Sequence, residues 1–199
     1  MTTSTWRNGS GLISFNLKIP QTERPALLLA HATSVVLENA RVIGSLAYAS
    51  LSTLSEGEDA IEWHGRELES VAIVNSVQEH EDAARVELTF DLRCIGTDGD
   101  FEISGGLDCW IERGDLSDPN ADRPLELTIS LDTDVYSAVT WGKERDNRVL
   151  SARNAPLFNR FLVAVRQGMR AMVGPVHAED YTGQVGPDGF NVPQLEQSQ

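Results

Sequence analysis

Apolar and polar residues alternate most cleanly between Arg85 and Ile95. Val86, Leu88, Phe90, Leu92 and Cys94 fall on one side, and Glu87, Thr89, Asp91 and Arg93 on the other. A period of two with one apolar side predicts a β-strand with one buried face. After the polar turn 96–100, Phe101, Ile103, Gly105, Leu107, Cys109 and Ile111 alternate with Glu102, Ser104, Asp108 and Glu112, which predicts a hairpin. With Cys94 opposite Phe101, counting back places Val86 opposite Cys109. Both thiols then lie on the same apolar face, as reduced core residues. Gly105-Gly106, inside this strand, reads as a bulge or a close packing contact.

The same alternation predicts strands over Gly11 to Ile19, Arg41 to Leu54, Leu68 to Val77, Leu125 to Leu131 and Val135 to Trp141. Ala26 to Asn39 stays open: Pro25 suits the first turn of a helix, whereas Thr33, Val35 and Val36 are β-branched and favour a strand. One segment reads as helix throughout. Asn154 serves as its cap, Pro156 fits the first turn, and Leu157, Phe158, Phe161, Leu162, Val165, Met169 and Met172 recur at three-to-four spacing until Gly174-Pro175.

The pattern therefore predicts an α+β, β-rich fold: an antiparallel sheet of six to eight strands packed against a long C-terminal amphipathic helix, helix-grip-like or a β-sandwich plus helix. Residues 1–175 form the expected single domain, and the Gly-, Pro- and Gln-bearing segment 176–199 an extended or mobile tail.

Composition narrows the partners. The chain has 199 residues, of which 41% are hydrophobic, enough for one core. Thirty acidic against sixteen basic residues give a net charge of −14, which argues against general nucleic-acid or anionic-membrane binding. The charge is uneven: residues 147–178 carry Arg148, Arg153, Arg160, Arg166 and Arg170 and no acid. Arg160, Arg166 and Arg170 are the candidates for contact with an anion or a partner; the plainer reading is that such arginines neutralise acids of the same molecule or of a second subunit. No apolar run reaches membrane-spanning length, the longest, Ala26 to Leu37, being broken by His31, Thr33 and Ser34. The polar stretch from Met1 to Gly11 lacks a secretory layout, so a soluble cytoplasmic protein is expected.

Catalytic and metal-binding patterns are weak. His31, His64, His80 and His177 form no two-histidine metal spacing, and neither a GxSxG nor a phosphate-cradling glycine loop occurs. Asp118-Pro119-Asn120-Ala121-Asp122 starts like a calcium loop, but Arg123 stands where glycine is needed and Ile129 where the closing glutamate belongs. No cofactor and no metal is expected. Glu62 beside His64, and His80 among Glu79, Glu81 and Asp82, are the only carboxylate–imidazole pairings on which an enzyme reading could rest. Trp110 falls out of phase with its hairpin, and Trp63 and Trp141 sit at strand ends.

The leading expectation is a non-catalytic protein that binds a small, largely apolar molecule between sheet and helix. Phe90, Leu92, Phe101, Phe158, Phe161 and Met169 would line the site, although a dry core would use the same residues. The alternative is a homo-oligomeric assembly or chaperone-like protein working through self-association. In architecture alone, an acidic body followed by a terminal helix resembles bacterial export chaperones of the SecB kind. An enzyme is the third reading.

Overall fold

The computed structural model describes residues 6–54, 57–65, 68–114, 125–139 and 145–195. Seven strands form one antiparallel sheet: β1 (Asn8–Ile19), β2 (Gly44–Thr53), β3 (Gly57–His64), β4 (Ala83–Cys94), β5 (Phe101–Arg113), β6 (Leu125–Thr133) and β7 (Met172–His177). Their spatial order is β3-β2-β4-β5-β6-β1-β7, so the first strand returns to lie between β6 and β7. Three helices accompany the sheet: α1 (Pro25–Ala40), α2 (Ser70–Glu79) and the 21-residue α3 (Arg148–Gly168). A small hairpin of β8 (Val185–Gly186) and β9 (Gly189–Phe190) follows. The chain is thus α+β and strand-rich.

Alternation divides the sheet into two unlike faces. Phe15 and Leu17 of β1, Leu88 and Leu92 of β4, Cys109 of β5 and Ile129 of β6 are buried on one face. On the other, Asn16, Glu87, Thr89, Asp108, Trp110 and Thr128 are half-buried, shielded mainly by cross-strand neighbours. Trp110 lies between Glu87 and Thr128 on this polar face, which accounts for its being out of phase. There the Thr89 hydroxyl donates to Asp108 at 2.6 Å, and Thr128 to Asn16 at 2.9 Å.

The open segment after Pro25 is a helix. Pro25 occupies its first turn, where a missing N–H costs nothing. Thr33 is reconciled to the helix by donating its hydroxyl to the Leu29 carbonyl at 2.8 Å. Helix α1 is buried nearly all round, from Ala26 and Leu29 to Val36 and Ala40, since it lies on β4 and β5 and also touches α2 and α3. Such a helix has no polar stripe to reveal its period.

Four readings of the pattern need correction. Residues Ser70–Glu79, within the stretch expected to be a strand, form α2: only Ile73 and Val77 are buried, one turn apart, while Val71 is exposed. The expected strand from Val135 is a buried turn, with Val135, Tyr136 and Ser137 packed inward; Trp141 lies outside the described residues. Helix α3 begins after Asn147 and ends at Gly168, with Pro156 inside it; Gly174 and Pro175 belong to β7. Asn154 is no cap, for it sits inside the helix and binds both the N–H and the carbonyl of Ile95, at 2.7 and 3.0 Å.

The fourth correction concerns register. Cys94 does face Phe101, but Leu88, not Val86, faces Cys109. Residues 104–106 bulge between the partners of Phe90 and Leu92, with Gly105 in the left-handed region at φ 57°, and Asp91 accepts from the Gly105 N–H at 2.8 Å. The inserted residues shift every later pair by two and leave the apolar face unchanged.

Beyond β7, the Tyr181 hydroxyl donates to the fully buried Asp134 at 3.1 Å, and the same carboxylate accepts the Arg7 N–H at 2.6 Å. Asn159 of α3 exchanges two 2.8 Å hydrogen bonds with the backbone of Phe190. These bonds hold the segment 179–190 against the body, and Phe190 packs among Phe15, Tyr136 and Phe158.

Candidate functional site

The residues expected to line a ligand site between sheet and helix lie in close packing. Leu92 and Phe158 are fully buried and Met169 is 4% exposed. Phe158 alone has ring contacts with Phe15, Tyr136, Phe161 and Phe190 at 5.1–5.8 Å. Phe101 is elsewhere, half-buried at the hairpin tip and stacked on Trp6 at 4.4 Å. Phe90 and Phe161 each line a cavity at the surface among the described residues.

The concavity arises where α1 gives way to β2. After Ala40 the chain makes a tight turn, with the Ile43 N–H bonded to the Ala40 carbonyl at 2.9 Å, and enters β2 at Gly44. A side chain there would strike the Asp91 carbonyl oxygen at 2.1 Å, so only glycine lets β2 start this close to β4. Between this turn and the start of α2 lies a cavity of about 300 Å³, lined by Leu37, Arg41, Gly44, Ser45, Leu46, Leu68, Ser70 and Phe90. On the other side of Arg41, towards α3, a second of about 450 Å³ is lined by Glu38, Asn39, Arg41, Val42, Arg160, Phe161 and Ala164. Arg41 is the shared wall. Leu37, Phe90 and Phe161 form buried floors, and Val42, Leu46 and Leu68 half-buried sides.

The rims are charged. Arg41 and Arg160 are exposed, and among the described residues neither guanidinium has a hydrogen-bond or ion-pair partner. Glu38 accepts from the Ser34 hydroxyl one turn back on α1 at 3.1 Å. The arginine island of the sequence is thus divided by the fold. Arg148 is paired with Asp146 at 2.7 Å, Arg166 with Asp188, and Arg153 donates to the Gly96 carbonyl. The Arg148 partner holds the Asp146 carboxyl low, at about 2. Arg170 follows α3, exposed, at φ 51°. Of Arg160, Arg166 and Arg170, only Arg160 faces the cavities. Arg41, Leu37, Val42, Leu46 and Leu68 were not among the expected residues. The signal that could have found them was the end of α1, hidden because the segment before it had no amphipathic period.

Glu62 and His64 do meet, at 3.1 Å, with the Tyr48 hydroxyl donating to Glu62 at 3.4 Å. Glu62 and His64 are on the edge strand β3 and Tyr48 on its neighbour β2; the His64 side chain is 63% exposed, and the group borders neither cavity. His80 bonds back to the Ser76 carbonyl at 2.7 Å instead of joining them. Among the described residues no group of three histidines, cysteines or acids could hold a metal, and Asp118 to Asp122 lie outside those residues. Burial pushes the Cys94 thiol up to about 12 and Cys109 higher still, so neither is a nucleophile at neutral pH. No described helix is long and apolar enough to cross a membrane. Comparison with family models, curated proteins and solved structures found no match.

Proposed function

We propose that this chain is a non-catalytic binding protein whose ligand has an apolar body and sits in the groove formed by the two cavities that share Arg41. The supporting observation is the pairing of aromatic floors, Phe161 and Phe90, with adjoining volumes of about 450 and 300 Å³, within the range of small-molecule sites. In this reading sheet and α3 grip one another with α1 beside them, a helix-grip-like arrangement, and the ligand occupies the groove at its end instead of the sealed interior.

The test is titration with N-phenyl-1-naphthylamine, a neutral dye that fluoresces in apolar surroundings. Binding is expected to be saturable. Ala164→Trp and Ser45→Trp, which fill the two cavities from their walls, should each weaken it about tenfold or more while leaving the thermal midpoint nearly unchanged. Absence of binding, or equal binding by both filled variants, would overturn the proposal.

A second reading, self-association of the assembly or chaperone-like kind, draws support from the sheet's edge. Among the described residues strand β7 pairs only with β1, and it exposes Met172 at 60% and Val173 at 39%. Light scattering across a hundredfold concentration range tests it: a constant monomer mass at every concentration rejects it.

A further inference from the structure

Resting on the groove reading above, we infer that the ligand is an amphipathic carboxylate, its acyl or aryl body over Phe161 and Val42 and its carboxylate held by Arg41 and Arg160. Both arginines line the same 450 Å³ cavity, from opposite elements: Arg41 at the end of α1 and Arg160 on α3. Despite the net charge of −14, these two arginines, each without a hydrogen-bond or ion-pair partner among the described residues, line one concavity. The third charged lining group, Glu38, accepts from Ser34 on its own helix and keeps its negative charge, so the rim sets two guanidinium groups against one carboxylate. A planar guanidinium offers a carboxylate two parallel N–H donors, and two of them on one cavity can satisfy both carboxylate oxygens. The long-range field of the protein repels anions, so any preference for one must be local. A phosphate monoester could also find the arginines, but the apolar floor beside them adds affinity only for a head group that carries an apolar body.

The experiment uses the full chain and displacement of N-phenyl-1-naphthylamine by dodecanoate, dodecanol and dodecyltrimethylammonium, each below its micellar concentration. Dodecanoate is expected to displace the dye at roughly tenfold lower concentration than dodecanol in 50 mM salt, with the preference shrinking in 500 mM salt. Dodecyltrimethylammonium should be the weakest. Arg41→Gln with Arg160→Gln should abolish the preference for dodecanoate, bringing the ratio of the dodecanol and dodecanoate displacement midpoints close to one; both positions are exposed, and an unchanged thermal midpoint checks folding. If dodecanoate and dodecanol displace alike while the dye binds, the carboxylate assignment fails and the groove reading stands. If the dye does not bind, the groove reading itself fails. A dimer that dissociates in the double variant would put an acidic segment of a second copy in the groove and overturn the inference.

Discussion

Truncation of Phe158 tests whether the space between sheet and α3 is solid protein or a ligand chamber. The ring is fully buried and touches four other aromatic rings, on β1, on the turn after β6, on α3 itself and on the β8–β9 hairpin. Removing a buried phenylalanine side chain costs about 3–5 kcal/mol, the transfer of the lost atoms plus the cavity left behind. With aromatic neighbours on four sides the surroundings cannot collapse easily, and each ring pair adds about 0.5–1.5 kcal/mol beyond burial, so Phe158→Ala belongs at the upper end, about 4–5 kcal/mol. For a chain of this size that lowers Tm by about 10–20 °C. Urea unfolding followed by tryptophan fluorescence measures the loss, with Met172→Ala, at a position 60% exposed, as a control expected within about 0.5 kcal/mol of the parent. The new void should also take up toluene, with partial recovery of stability. A loss below about 1.5 kcal/mol would mean that Phe158 already borders open space, and the argument for a sealed interior would collapse.

Other measurements probe separate links. Gly168→Ala should lower stability by about 1–2 kcal/mol despite alanine's better helix propensity, because its methyl group would lie 2.8 Å from Val35 Cγ1 where α3 crosses α1. In a Val35→Ala background the penalty should vanish, and a gain in the parent background would refute the close crossing. The two thiols should resist Ellman's reagent at pH 8, where a group titrating at about 12 is thiolate in roughly one molecule in ten thousand, and should both react once urea is added; fast native reaction of either would contradict their burial. Burial first, then the charges of Asp132 and Glu87, raise the Asp108 carboxyl against the opposing Thr89 hydrogen bond. A raised carboxyl stabilises the fold fully only below its unfolded pKa, and that contribution is lost as pH rises through the folded value. Asp108→Asn should therefore be more favourable at pH 7 than at pH 3.5, by on the order of 0.5 kcal/mol given its partial exposure. Equal effects at both pH values would refute this.

The class of fold was legible because alternation is a local property. Val86 to Cys94 and Leu125 to Leu131 declare a one-sided sheet whatever surrounds them. The helical nature of Phe158 to Val165 was equally plain, since the buried residues of α3 keep their three-to-four spacing. The groove was only half legible: Phe90, Arg160 and Phe161 stood among the expected residues, but nothing in their spacing brought them to one place, and Arg41, which joins the two cavities, was not among them.

Those remaining features depend on contacts distant in the chain. Helix α1 is decided by the sheet, α2 and α3 closing around it, because an all-apolar segment with β-branched residues has no periodic signature of its own. The start of α3 is set by Asn147, whose buried amide donates to carbonyls of the preceding turn, including Ser137 at 2.9 Å, while the better-looking Asn154 serves the end of β4. The bulge at Gly105 shifts the cysteines' partners without altering the alternation that predicts the strands. Sequence alone determined which residues prefer to be buried and with what period. The tertiary structure decided what each buried face rests on, and so which residues line the two cavities that share Arg41, because that depends on where α1 ends against α3 and β4.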